Sequence, residues 1–179
     1  ALSRITCDSD IKNPEELFKF AGEGNRHWDL ELLCRTTALR TAYRQMARPY
    51  DKKLFLNVNP NIMHDVKFKQ GFTREYLGQY GITPESIIFE ITERNAVQDM
   101  EGFRGTVSHY KQQHYKIAVD DAGAGYSGLT LISDVNPHFI KLDMQLIRNI
   151  DTDDMKYALV RSMVELSHIS NINLIAEGV

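Results

Sequence analysis

The chain has 179 residues, 42% hydrophobic and 25% charged, room for one domain with a substantial core rather than two. Its formal net charge is −3, from 21 basic and 24 acidic residues. That is a poor footprint for DNA or RNA, whose binding relies on basic patches that neutralise phosphates.

The apolar runs are too short to span a bilayer, no charged-then-apolar leader is visible, and Cys7 and Cys34 belong to no ligand pattern. The expectation is a cytoplasmic segment with reduced thiols and no membrane contact of its own, while a parent chain is free to be anchored elsewhere.

Helix and strand signals alternate along the chain. Residues 29 to about 46 predict a helix, with Leu30, Leu33, Ala38 and Ala42 roughly on one side. Residues 54–58 (LFLNV) predict the first strand, running into the turn Asn57-Val58-Asn59-Pro60. Residues 86–92 (SIIFEIT) predict the second strand, and 98 to about 113 a more polar surface helix. Residues 116–120 (KIAVD) predict the third strand, followed by a glycine-rich stretch from Gly123 to Gly128. Residues 139–143 (FIKLD) predict the fourth strand. The acidic run Asp151 to Asp154 reads as a helix cap and first turn, since the glycine of an EF-hand is absent. It opens a helix to about residue 168, with Met155, Ala158, Leu159, Met163 and Leu166 at helical spacing. Residues 173–177 (NLIAE) predict the fifth strand.

Strict alternation implies a parallel sheet, either open and doubly wound or closed into a barrel. A dinucleotide-binding Rossmann fold needs GxGxxG after the first strand, and none is present. The barrel is favoured because barrel active sites lie at the C-terminal ends of the strands. Each strand carries a charged or metal-capable residue there: Asn57, Glu90, Asp120 with Asp121, Lys141 with Asp143, and Glu177. Taken singly, each has a plainer explanation: a solvated acid, a helix cap, a turn asparagine, a surface lysine. Five in register with five consecutive strands argue for a site. Carboxylates inside apolar parallel strands are costly unless paired or bound to cations. Oxygen ligands without cysteine or clustered histidine suit a hard ion, Mg²⁺ or Mn²⁺. The histidines form no ligand or triad pattern, and His109 and His114 are expected to be exposed.

Several motifs resemble those of EAL-domain phosphodiesterases. Asp120-Asp121-Ala122-Gly123-Ala124-Gly125-Tyr126-Ser127 is similar to that family's DDFGTGYS loop, and Glu90-Ile91-Thr92-Glu93 to its ELTE segment. Phe139-Ile140-Lys141-Leu142-Asp143 resembles its KID strand, and Ala176-Glu177-Gly178-Val179 the start of AEGVE. The turn at Asn57 is similar to NLSP, and Ala1-Leu2-Ser3-Arg4 to the tail of the EALLR signature.

The resemblance implies a TIM-like (β/α) barrel that hydrolyses cyclic di-GMP to linear pGpG with two divalent ions, Mg²⁺ or Mn²⁺. It implies that Asn57, Glu90 and Asp120 hold one ion and Asp120 with Asp121 the second. Lys141 would position the attacking water, Glu177 would act as its base or hold it through a metal, and Leu2, Arg4 and Asp143 would contact substrate. Gly123, Gly125, Tyr126 and Ser127 would form a loop linking the metal site to homodimer contacts. Sensor or cyclase modules would lie outside this segment.

There are departures from the pattern. The first Glu of the signature would precede Ala1, the second Glu of EGVE would follow Val179, and Ala122 and Ala124 replace Phe and Thr. The expectation is a single domain over residues 1–179, lacking most of its first strand and last two βα units, and incomplete as a barrel. Two other functions compete: a catalytically silent EAL domain acting as a cyclic di-GMP receptor, and a different hard-metal barrel enzyme.

Overall fold

The apolar runs of the sequence become five short parallel strands: β1 (Leu54–Asn57), β2 (Ile87–Thr92), β3 (Lys116–Ala122), β4 (Phe139–Leu142) and β5 (Asn173–Ala176). A computed structural model describes residues 3–6, 8–11, 13–46, 52–59, 67, 71–92, 100–123 and 128–179. Among these the strands form one sheet in the order β1-β2-β3-β4-β5, every neighbouring pair parallel. A doubly wound sheet reverses its strand order at a switch point. This sheet never reverses, so it winds in one direction, as the arc of a barrel does.

The helices are α1 (Pro14–Glu23), α2 (His27–Gln45), α3 (Phe72–Tyr80), α4 (Met100–Gln112), α5 (Gly128–Val135), α6 (Met144–Ile147) and α7 (Asp154–Ser170). Helices α2, α4 and α7 match the sequence expectation to within two residues at each end. The others were not anticipated, although α1 has a legible start: Asn13 accepts from the Glu16 N–H at 2.9 Å and Pro14 opens the first turn. Helix α3 lies between Gly71 and Gly81, both left-handed at φ 79° and 64°. At α7, Asp153 accepts from the N–H groups of Met155 and Lys156, which agrees with the reading of the acidic run as a cap.

The two faces of the sheet divide the labour. Outward-facing Ile87, Phe89, Ile91, Ile117, Val119 and Ile140 are fully buried and pack on Leu39 of α2, Phe103 and Tyr110 of α4, and Leu131 of α5. Phe89 contacts Tyr110 and Tyr115 with ring centroids at 4.3 and 4.8 Å. The inner face carries an apolar lower layer, where Phe55 and Phe139 meet edge to face at 5.6 Å. One residue pair further along β1, β2 and β4 the inner positions are Asn57, Glu90 and Lys141. Asn57, Glu90 and Lys141 thus gather at the C-terminal end of the inner face.

Helix α2 corrects one expectation. Its buried side is Trp28, Glu31, Arg35, Leu39 and Ala42, while Leu33 is 62% exposed. A charged pair takes the inward stripe that the leucines were expected to fill. The long α7 is likewise only partly inward: Met163 and Leu166 reach the core, whereas Met155 and Leu159 stay exposed. His109 is half-buried rather than exposed, 2.6 Å from the Gln113 amide nitrogen.

Candidate metal and catalytic site

The site is organised around Lys141, the third residue of β4. Its ammonium lies 2.8 Å from Glu90 Oε1, 2.8 Å from Asp120 Oδ1 and 2.6 Å from Glu177 Oε1. Strands β2, β3 and β4 and the end of β5 each send one charged group to this point. Parallel pairing explains the convergence: Asn57 is the register partner of Glu90, Lys141 that of Ile175, and the Glu177 N–H continues the ladder to the Leu142 carbonyl at 3.2 Å.

Asp121 joins by a different device. Regular alternation would send neighbouring Asp120 and Asp121 to opposite faces. The β3–β4 register shifts between Val119 and Ala122, and Asp121 sits at φ 55° in the left-handed region. This bulge turns both carboxylates the same way. Asp120, Asp121 and Glu177 each offer an oxygen, all within 4.8 Å of one another.

Four carboxylates therefore face one ammonium, and the electrostatics record the excess. Burial pushes the Glu90 carboxyl above its ordinary range and the nearby Asp120 charge adds to this, against the pull of Lys141. Burial and the like charges of Asp120, Asp143 and Glu177 raise Asp121 as well. Burial opposes the Lys141 charge, but hydrogen bonds to Asp120, Glu177 and Glu90 outweigh it and hold its pKa above the usual lysine value. A site that strains to keep its acids ionised is one that favours added cations. Its donors are all oxygens, the set that hard divalent ions prefer, so the residues present fit such ions.

Asn57 stands beside Glu90 at the C-terminal end of β1. Arg4 is exposed and shares a cleft of about 790 Å³ with Asn57, Glu31 and Arg35. Asp143 follows β4 as the N-cap of α6, accepting from the Gln145 N–H at 2.7 Å. Gly123 takes φ +98° at the tip of β3, where a Cβ would collide with Leu146 of α6. Leu2, Gly125, Tyr126, Ser127 and Glu93 lie outside the described residues.

Glu31 and Arg35 escaped the sequence reading. An i,i+4 acid–base pair on a helix usually sits in solvent; here both side chains are about 95% buried, and Glu31 reaches the backbone just beyond Asn57.

A family model described as EAL domain matches residues 1–179. Cyclic di-GMP phosphodiesterase PdeF of Escherichia coli is 25% identical over 179 residues, 99% of this chain and 24% of that protein. Protein Rv1354c of Mycobacterium tuberculosis is 29% identical over 164 residues, 92% of this chain and 26% of its own length. The chain thus spans about a quarter of the curated relatives it matches. Among solved structures, the Klebsiella pneumoniae BlrP1 complex with manganese and cyclic di-GMP superposes with a TM-score of 0.82 at 30% identity, covering 94% of this chain and 42% of that one. A standalone EAL protein from Vibrio cholerae, bound to cyclic di-GMP, gives 0.77 at 30% identity, covering 94% of this chain and 69% of its own. The one-way parallel sheet is accordingly the arc of a TIM-like barrel, with its strands in the open arrangement expected of an incomplete one.

Proposed function

The chain belongs to the EAL domain family, and we propose that its parent protein hydrolyses cyclic di-GMP to linear pGpG with Mg²⁺ or Mn²⁺. The observation that carries this is the convergence of Glu90, Asp120, Asp121 and Glu177 around Lys141 at the C-terminal ends of successive barrel strands.

In this reading Asn57, Glu90 and Asp120 hold one divalent ion, and Asp120 with Asp121 the second. When bound, such a pair supplies Lewis acidity at the scissile phosphate and clamps the entering and leaving oxygens of an in-line displacement. The chain's own residues do the rest. Lys141, gripped by three carboxylates, orients the attacking water and offsets charge that builds on the phosphate oxygens. Glu177 accepts the proton that the water gives up as its oxygen bonds to phosphorus. The P–O3′ bond breaks, and the 3′ oxygen takes up a proton from solvent to leave as the free hydroxyl of pGpG. Arg4 faces a phosphate, where a guanidinium suits bidentate contact. Leu2 and Asp143 complete the substrate contacts.

The loop that carries Gly123, Gly125, Tyr126 and Ser127 connects this chemistry to a homodimer partner. Sensor or cyclase modules occupy the rest of the parent, a reading supported by the small share of each relative that the chain spans. No helix among the described residues is long and apolar enough to cross a membrane. The segment works in the cytoplasm, where its nucleotide substrate is found.

The test is chromatography of cyclic di-GMP incubated with the parent protein, with and without Mg²⁺ or Mn²⁺. Metal-dependent pGpG supports the proposal. Tight binding without turnover would replace it by a receptor role, and neither turnover nor binding would overturn it.

A further inference from the structure

A buried ion pair is weak support for stability, because apolar residues of the same volume usually serve as well. The pair formed by Glu31 and Arg35 of α2 therefore calls for another reason. Arg35 Nη2 donates to Glu31 Oε2 at 3.1 Å, Arg35 Nη1 donates to Thr73 Oγ1 of α3 at 2.9 Å, and the guanidinium lies over the Phe89 ring of β2 at 5.2 Å. Arg35 is thus fixed by α3 and by the sheet, and it fixes Glu31 in turn.

The other oxygen of Glu31 faces the site. Glu31 Oε1 accepts the Asn59 backbone N–H at 2.7 Å. The preceding residue, Val58, donates its N–H to the Glu90 carbonyl at 3.0 Å. The chain leaving β1 is therefore tied on one side to β2 and on the other to α2, and Asn57 is the residue immediately before both ties. Loss of the Glu31 tie would loosen the exit of β1 from α2 and let the Asn57 side chain drift out of line with Glu90.

We infer that Glu31 is a positioning residue: held by Arg35, it grips the Asn59 amide and so sets Asn57 beside Glu90 for binding a divalent cation. The inference rests on the reading above in which Asn57 and Glu90 share an ion. It concerns reach rather than charge, because the grip is a single hydrogen bond from a carboxylate oxygen to a backbone N–H.

The test is Mn²⁺ titration of the full-length parent, read by the electron paramagnetic resonance signal of free Mn²⁺, with thermal melts alongside. Glu31→Gln keeps the reach to Asn59 through its amide oxygen but turns its NH2 group toward Arg35 in place of an acceptor, so its melt is expected to fall. Glu31→Asp keeps the charge and withdraws the oxygen by roughly one carbon–carbon bond, ~1.5 Å. Outer-shell partners of metal sites are typically worth about 10–100-fold in affinity, so Glu31→Asp is expected to weaken Mn²⁺ binding ~10-fold. Glu31→Gln is expected to stay within about 3-fold of wild type on the same scale. A folded Glu31→Asp with wild-type affinity overturns the inference while leaving the metal site standing, and so does a Gln variant weaker than Asp. A wild type that takes up no Mn²⁺ overturns the metal reading and the inference with it. Amide hydrogen exchange needs no variant: Asn59 is expected to be protected, more so with Mn²⁺, and free exchange at Asn59 overturns the inference whatever the variants do.

Discussion

Replacing Lys141 by Met removes the one ammonium that three carboxylates share and leaves a chain of similar length. The side chains of Lys141, Glu90 and Asp120 are 14%, 5% and 12% exposed, while Glu177 is 32% exposed. Breaking a buried ion pair by removing one partner costs about 3–5 kcal/mol, and a solvent-exposed pair contributes about 0–1 kcal/mol. Glu90 and Asp120 belong near the first case and Glu177 nearer the second, which gives a loss of ~3 kcal/mol. For a domain of this size each kcal/mol moves the melting temperature by roughly 2–4 °C, so the metal-free variant should melt ~6–12 °C lower. The sign with pH follows from Glu90. Without the lysine its already raised pKa climbs further, so the folded state holds a proton more firmly than the unfolded chain does. Stability then falls as pH rises, and the deficit should be greatest near pH 8 and smallest near pH 5. Mn²⁺ returns positive charge to the cluster and should raise the variant's melting temperature more than the wild type's. Calorimetry of the two proteins with and without Mn²⁺ measures all of this. A metal-free variant melting within about 2 °C of wild type would refute the view that the lysine holds these acids together.

Three further outcomes are expected. Glu90→Gln or Asp120→Asn should abolish pGpG formation, by more than the ~100-fold typical of outer-shell replacements, while circular dichroism stays native; substantial turnover in either would mean the metal assignment is wrong. Gly178→Ala places a Cβ 2.7 Å from Met144 Cβ on a backbone at φ +71°, a conformation that costs an L-residue about 1–2 kcal/mol. It should lower both the melting temperature and turnover, since the displaced residue adjoins Glu177, and an unchanged melt would argue against the φ. His138 Nδ1 accepts the Ile117 N–H at 3.2 Å, and burial with nearby Lys111 and Lys116 depresses its pKa. The unfolded chain then binds the proton more readily, so this stability is present above the ordinary value of 6.5 and is lost as pH falls through the folded pKa. Urea unfolding at pH 7 and pH 5 should show the loss in wild type and a smaller one in His138→Asn, whose Oδ1 stays an acceptor.

The strands were legible because each is a short apolar run, rich in Ile, Val, Leu and Phe, that ends in polar residues. Residues 116–120 needed only two more, Asp121 and Ala122, to reach the observed end of β3. Glu90, Asp120, Lys141 and Glu177 could be placed for the same reason: the period of two, applied from the apolar residues outward, puts them on the inner face at one end. What failed was whatever depends on tertiary contact. The inward stripe of α2 holds Glu31 and Arg35, which contacts to Thr73, Phe89 and the Asn59 amide justify, so hydrophobic periodicity chose Leu33 in their place. Helix α3 is only nine residues, bounded by a left-handed glycine at each end, so its Phe72, Tyr76, Leu77 and Tyr80 spacing spans barely two turns. The cap at Asn13 and Pro14 was readable and went unread. Alternation also gave no hint that Asp121 would face the same way as Asp120.

The bulge at Asp121 has an implication for how the protein balances robustness against activity. A non-glycine residue in the left-handed region stores roughly 1–3 kcal/mol, tolerated only where surroundings enforce it. Here that strain is what lets two adjacent carboxylates face one place, so a strand of seven residues brings two acids within reach of Glu177. Asp121→Gly would release the strain and remove a like charge from the cluster. The domain should become harder to melt and, on the proposed reading, lose pGpG formation by the same change. Selection for endurance alone would erase this residue, so on the proposed reading stability is given up here for chemistry.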